Sequence, residues 1–178
     1  MKKQFFKTSL FLLILIFGLI TTSCSDEDDN VGAGGSAALG TVKANVDGYN
    51  FVSDPAETSL AIVPNSIGAQ MFITANDLEG RELRINITAG GYFGEGEYEI
   101  GGENFHFVTA FWTVGDVNDP SNSDGWMAPY NPLDDTIVGF LNIESDSGDN
   151  LQGTFEFTAD RGLGDPIDIT NGSFNLDY

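Results

Sequence analysis

The 178-residue chain has one cysteine, one histidine, and only seven lysines and arginines against 27 acidic residues. A single thiol cannot close an intramolecular disulfide. With a single imidazole it supplies no thiolate and imidazole ligand set for zinc. Cysteine–histidine catalysis would need Cys24 and His106 to meet, and Cys24 stands far from the part of the sequence that can fold. The scarcity of cations excludes nucleic acid as a partner, because phosphate binding needs a basic footprint. Anionic lipid head groups are excluded as ligands on the same ground, whereas divalent cations and neutral polymers remain open. Long apolar runs are missing too. The longest, Leu10–Ile20, has eleven residues, short of the roughly 20 that cross about 30 Å of hydrocarbon. A helical stripe is also absent. The nearest approach is "DPAETSLAIV", where Asp54, Pro55 and Glu57 make an N-cap, a first turn and a capping box. Pro64 and the β-branched pair Ile62–Val63 stop it, which predicts a single turn followed by a strand.

What is present begins at the N-terminus. Lys2, Lys3 and Lys7 form a basic region, the eleven apolar residues follow, and Thr21-Thr22-Ser23 lead to Cys24. This has the form of a signal peptide and resembles a bacterial lipobox, with Thr21 where leucine is commonest. The resemblance implies cleavage after residue 23 and lipid on the Cys24 sulfur. One acyl chain holds a protein only marginally, at about 0.8 kcal/mol per buried CH₂, while several anchor it stably. The expected membrane partner is therefore reached through the lipid. Ser25, Asp26, Glu27, Asp28 and Asp29 form an acidic run that stays solvated as a spacer. It also resembles the export signal that takes Bacteroidota lipoproteins to the outer face of the outer membrane. "VGAGGSAALG" continues as a flexible tether. Residues 24–40 are thus expected to tether the domain, the sixteen from Ser25 to Gly40 spanning on the order of 20–25 Å.

Residues 41–178 are long enough for one domain with a real core. Loss of residues 1–23 removes three of the seven basic residues and none of the 27 acids, leaving four minus 27, a net charge of −23. The periodicity here is two. "RELRINIT" alternates Leu83, Ile85 and Ile87 against polar residues, "GTFEFTAD" sets Phe155 and Phe157 on one face, and "GSFNLDY" alternates Phe174, Leu176 and Tyr178. Such runs, punctuated by "VDGYN", "NDLEG", "SGDN" and "TNG", read as half-buried antiparallel strands. Eight or nine strands with little helix predict an all-β, two-sheet antiparallel sandwich, with a lipocalin-like β-barrel as the alternative.

"VKANVDGYNF" near the start, "GEGEYEI", and "LQGTFEFTAD…IDITNGSFNL" at the end resemble an uncharacterised domain family of Bacteroidota lipoproteins. Its members open on V-D-G-x-x-F and close on G-T-F-x-F-x-A, then I-T-x-G-x-F. These motifs are phenylalanines for a core and glycines for turns. No catalytic residues come with them.

Chemistry is sparse in the remaining motifs. His106 in "NFHFVTAFW" reads as a half-buried polar strand residue rather than a base. "GYFGEGE" has glycines but no following helix, and acids line it, so it cannot cradle phosphate. Glu95, Glu97 and Glu99 alternate along one strand, neighbours about 7 Å apart. That is within the range of glycosidase pairs, but it reads as a solvated face. The most informative stretch is the interruption from Gly115 to Asp135, a loop long enough to be functional. Its oxygen donors Asp116, Asn118, Asp119 and Asp124 suit Ca²⁺, although the spacing does not fit an EF-hand; no other cofactor is indicated. Trp126 and Tyr130, with Trp112 just before them, either stack on a sugar ring or plug one end of the sandwich. "DTI" resembles the three-residue O-glycosylation motif of Bacteroidota, with Thr136 as acceptor. The reading is a lipid-anchored, surface-exposed, non-enzymatic binding or interaction module with a protein or glycan partner. A glycan-binding accessory lipoprotein is the alternative and a hydrolase the second.

Overall fold

The "VDG" turn shows how local chemistry builds the domain. Asp47 and Gly48 both take positive φ, 48° and 86°, and join Val46 to Tyr49 as the closing pair of a hairpin. Two residues with φ above zero match the twist of the flanking strands, which favours Asp-Gly at this position. Eleven strands follow in chain order: β1 Thr41–Val46, β2 Tyr49–Val52, β3 Thr58–Asn65, β4 Gly68–Asn76, β5 Arg81–Tyr92, β6 Gly96–Gly101, β7 Val108–Asp116, β8 Asp119–Ala128, β9 Ile137–Asp146, β10 Asn150–Ala159 and β11 Ile167–Asp177. The computed structural model describes residues 35–103, 107–116, 119–162 and 164–178, without the side chains of 116 and 119–121. They fall within one unit, Gly32–Tyr178.

The strands form two antiparallel sheets. One has the order β2-β1-β11-β10-β9-β6, the other β3-β4-β5-β7-β8. Neither closes on itself, so the fold is a β-sandwich and the barrel alternative is set aside. The one core draws on both sheets, with Ile73, Ile85 and Ile87 from the five-stranded sheet and Leu141, Phe155 and Ile169 from the six-stranded one. Phe51 of β2 meets Trp112 of β7 edge to face across the layers, centroids 5.2 Å apart. The expected alternation of β10 is observed. Phe155 and Phe157 are 4% and 3% exposed, while Glu156 between them faces solvent. The opening and closing motifs lie in β1–β2 and β10–β11, contiguous strands of the six-stranded sheet.

Three features differ from expectation. Among the described residues there are eleven strands rather than eight or nine, the additional ones being β2, only four residues long, and β8, which lies in the stretch expected to be a loop. Asp119–Ala128 carries proline, asparagine and glycine, residues depleted in strands, yet it pairs with β7 from Ala110↔Ala128 to Asp116↔Asp119. It is an edge strand, where Pro120 and Gly125 are tolerated. Finally, chain packing begins before Thr41. Ala37 is buried, Gly40 N donates to the Asn175 carbonyl at 2.7 Å, and Thr41 N and Oγ1 both donate to the Ala38 carbonyl. The predicted turn at "DPAE" is a 3₁₀ turn, Pro55–Glu57, capped by Asp54 Oδ1 accepting from Ala56 N at 2.8 Å. No helix among the described residues is long and apolar enough to cross a membrane.

Candidate functional site

Strand register sorts the side chains of the six-stranded sheet into a buried face and an outward one. On the outward face, Glu99 of β6, Phe140 of β9 and Glu156 of β10 stand in one row across the sheet. Glu97, Asn142 and Thr154 form the next row, followed by Ser173 of β11 and Lys43 of β1. Beyond the first row, Thr158 of β10 donates to Asp168 of β11 at 2.8 Å. Two adjoining depressions, about 420 and 400 Å³, open on this face and share Phe140 and Glu156. Among the described residues no hydrogen bond or ion pair engages the side chains of Glu97, Asn142 or Glu156. A half-buried aromatic ring thus stands on this face beside the carboxylates of Glu97 and Glu156 and the amide of Asn142.

The aromatic residues singled out in the sequence lie elsewhere and have different roles. Trp112 and Trp126 are cross-strand partners in β7 and β8. Trp112 is 3% exposed and belongs to the core. Trp126, at the sheet edge, donates its indole N–H to the Asp165 carbonyl at 3.0 Å, and the Arg161 guanidinium lies 4.9 Å from its ring centroid. Arg161 in turn binds Asp124 Oδ1 at 3.0 Å and Asp165 Oδ2 at 2.6 Å. Beside them Met127 and Asp160 exchange two backbone hydrogen bonds, joining β8 to the end of β10. The corner is therefore a latch between the sheets, with Trp126 half-buried against Arg161. Tyr130 alone of the three aromatics is open to solvent, at 51% exposure.

Of the residues read for Ca²⁺, Asn118 and the side chains of Asp116 and Asp119 lie outside the described residues, and Asp124 is committed to Arg161. Among the described residues no three His, Cys, Asp or Glu side chains converge as a metal site. Thr136 is exposed ahead of β9, its hydroxyl donating to Asp134 Oδ1 at 2.7 Å. His106, Cys24 and the run Ser25 to Asp29 lie outside the described residues.

One cluster had no signal in the sequence. Asp146, at the end of β9, accepts from Tyr92 at 2.6 Å through Oδ2 and from Tyr178 at 2.7 Å through Oδ1. Tyr92 stacks on Tyr98, centroids 6.2 Å apart. The tyrosine hydrogen bonds, that of Tyr92 foremost, hold the Asp146 carboxyl below its usual range. Burial and the bond to Asp146 push Tyr92 upward, and the same two causes raise Tyr178 to about 12. Each of these groups keeps one protonation state through neutral pH, so the cluster ties β5 to β9 and is not arranged to exchange a proton. The row at Phe140 did have a signal: "IVGFLNIE" puts a phenylalanine on the face of β9 that carries Asn142. Compared with known proteins, the chain matches no family model, no curated protein and no solved structure.

Proposed function

We propose that this protein is a lipid-anchored, non-enzymatic binding or interaction module, carried on Cys24 and displayed outward from the outer membrane. The observation that carries the binding role is the outward face of the six-stranded sheet, where Glu97, Asn142 and Glu156 have no intramolecular partner among the described residues around Phe140. Acid–base catalysis has less support. The carboxyl of Asp146 is lowered and the phenols of Tyr92 and Tyr178 are raised, both away from the neutral range where a general acid or base works best. Glu97, Glu99 and Glu156 stand on an open sheet face, whereas a glycosidase sets two carboxyls on either side of a scissile bond. The covering of Trp126 by Arg161 favours an interaction role over sugar stacking at that corner. Glycan binding is the second reading, favoured by exposed Tyr130 and by Phe140 among polar groups. The resemblance of residues 21–24 to a lipobox supports the anchor, and that of Ser25 to Asp29 to an export signal supports outward display.

Membrane fractionation with radiolabelled palmitate tests the anchor. Cys24→Ala should abolish labelling and release a folded, soluble protein; a mutant that stays in the membrane fraction sinks the reading. Replacing Asp26, Glu27, Asp28 and Asp29 by alanine should keep the label but lose accessibility to protease added to whole cells. Equal shaving of both forms would make that run a spacer only.

A further inference from the structure

We infer that the free edge of β2 takes an added strand, an extended segment of a partner protein that is apolar at its centre and carries no acidic residue. This surface is separate from the Phe140 face, and the inference does not depend on that face. The two sheets have four rims, β2 and β6 in one, β3 and β8 in the other. Charge and proline on a rim discourage pairing with another chain. β6 has Glu97 and Glu99, β3 has Pro64, and β8 has Asp119, Pro120 and Asp124. β2, Tyr49–Val52, has neither.

The register fixes what this edge offers. Across the two-residue turn Val46 and Tyr49 form a hydrogen-bonded pair, and such pairs alternate along an antiparallel ladder. Ala44 and Phe51 are the next bonded pair, and Ser53 N then donates to the Val42 carbonyl at 2.9 Å. Asn50 and Val52 fall between, so their N–H and C=O groups point away from β1. Among the described residues no backbone hydrogen bond outside the ladder reaches either. A strand laid along β2 would pair with both and make four bonds. A depression of about 430 Å³ opens here, between β2 and the β4–β5 turn. Three exposed apolar side chains line it: Leu78 at 77%, Val52 at 44% and Tyr49 at 39%. The added residue opposite Phe51 would face the same way as Phe51 and Tyr49, which calls for an apolar side chain at that position. Charge decides among occupants. Arg81 holds Asp77 and Glu79 and lies 4.2 Å from the Tyr49 ring centroid. Lys43, the partner of Val52 across the ladder, reaches Gly35, which lies against Ser173 of β11, and so points away from this edge. No cation is left in the groove to receive an acidic side chain. A second copy would bring a net charge of −20 with its own β2 and be repelled, whereas a neutral strand from another protein would not.

The full chain in detergent micelles would be titrated with the acetylated, amidated heptapeptide Ser-Thr-Val-Leu-Val-Thr-Ser, followed by calorimetry and by amide hydrogen exchange in NMR. The peptide should bind with less than a twofold change in affinity between 25 and 250 mM NaCl. At saturation it should slow exchange of the Asn50 and Val52 amides at least tenfold. Glutamate in place of the central leucine should weaken it at least fivefold, and N-methylation of both valines, which removes the N–H groups that would bond to β2, should abolish binding. Asn50→Pro takes away only a donor that faces away from β1, a position where an edge strand tolerates proline, and should weaken the peptide at least fivefold. Leu78→Ser should weaken it at least threefold, whereas Leu133→Ser, on another exposed leucine, should change nothing. Thermal melts would verify that the variants fold. Equal binding of the N-methylated peptide, or equal weakening by Leu133→Ser, would mean apolar adhesion without an added strand and would overturn the proposal. So would unchanged exchange at Asn50 and Val52. Sedimentation without peptide covers the remaining occupant: a dimer that Asn50→Pro dissolves would put a second copy on this edge in place of a partner.

Discussion

Asp146 gathers three hydrogen bonds on one carboxylate. Two phenols donate to its two oxygens, and Gly148 N donates to Oδ1 at 3.1 Å. Its pH dependence has a definite sign. The folded carboxyl titrates below its unfolded value of about 3.9, so its contribution is complete above roughly pH 5 and is lost as pH falls through the folded value. Tyr178 behaves oppositely. Its folded value of about 12 lies above the ordinary tyrosine value of about 10, so stability is present below pH 10 and is lost as pH rises towards 12. Asp146→Asn keeps an acceptor for one tyrosine only and should cost about 1–2 kcal/mol at pH 7. Urea melts of wild type and variant at pH 3, 7 and 11 should show the difference shrinking at both extremes. A constant difference across that range would mean that Asp146 acts through packing alone. Gly153, in the interior, exerts a different local constraint. A methyl group there would overlap the Asn142 carbonyl and the Phe174 ring, so close strand approach is why the closing motif begins with glycine.

At the scale of elements, β10 has the most to lose. Its inward residues pack Phe155 near Phe157 and Phe174, with centroids 6.1 and 6.5 Å apart. Phe155→Ala or Phe157→Ala should cost about 3–5 kcal/mol, while Glu156→Ala on the outward face should stay within about 0.5 kcal/mol. Denaturant titrations of the three variants check this, and a Glu156→Ala as damaging as the others would contradict the facing of the strand. This element was legible because "TFEFTA" alternates without interruption, and so were β5 and β11. In β8, "DPSNSDGWMA" has no such period. Its extension is imposed by β7, whose residues supply the partners, and pairing between distant residues is not written in local composition. The same reason hid the roles of the tryptophans. That Trp112 faces Phe51, and that Arg161 from beyond β10 covers Trp126, are contacts across tens of residues. The Phe140 row was half legible: the odd phenylalanine on β9 could be seen, but not which carboxylates would stand beside it.

For the whole molecule, a net charge of −20 makes self-repulsion a standing cost, partly offset by the five arginine–carboxylate pairs among the described residues. The Debye length falls from about 30 Å at 0.01 M to about 8 Å at 0.15 M salt, which screens distant like charges first. The melting temperature should therefore rise between 10 and 150 mM NaCl by a few degrees, a shift of about 1 kcal/mol. Calorimetry that found a fall instead would show that the ion pairs outweigh the repulsion. The position of β1 has a mechanical consequence. If the domain is held by its N-terminus, a pull on it first meets the packed residues Ala37 to Gly40 and then β1, which lies between β2 and β11 rather than at the rim of its sheet. Antiparallel ladder bonds run across the strand, so tension along β1 loads both ladders in shear and does not unzip either one bond by bond. Held that way, the domain resists a pull through two ladders at once, so its first strand yields only under a load that breaks both.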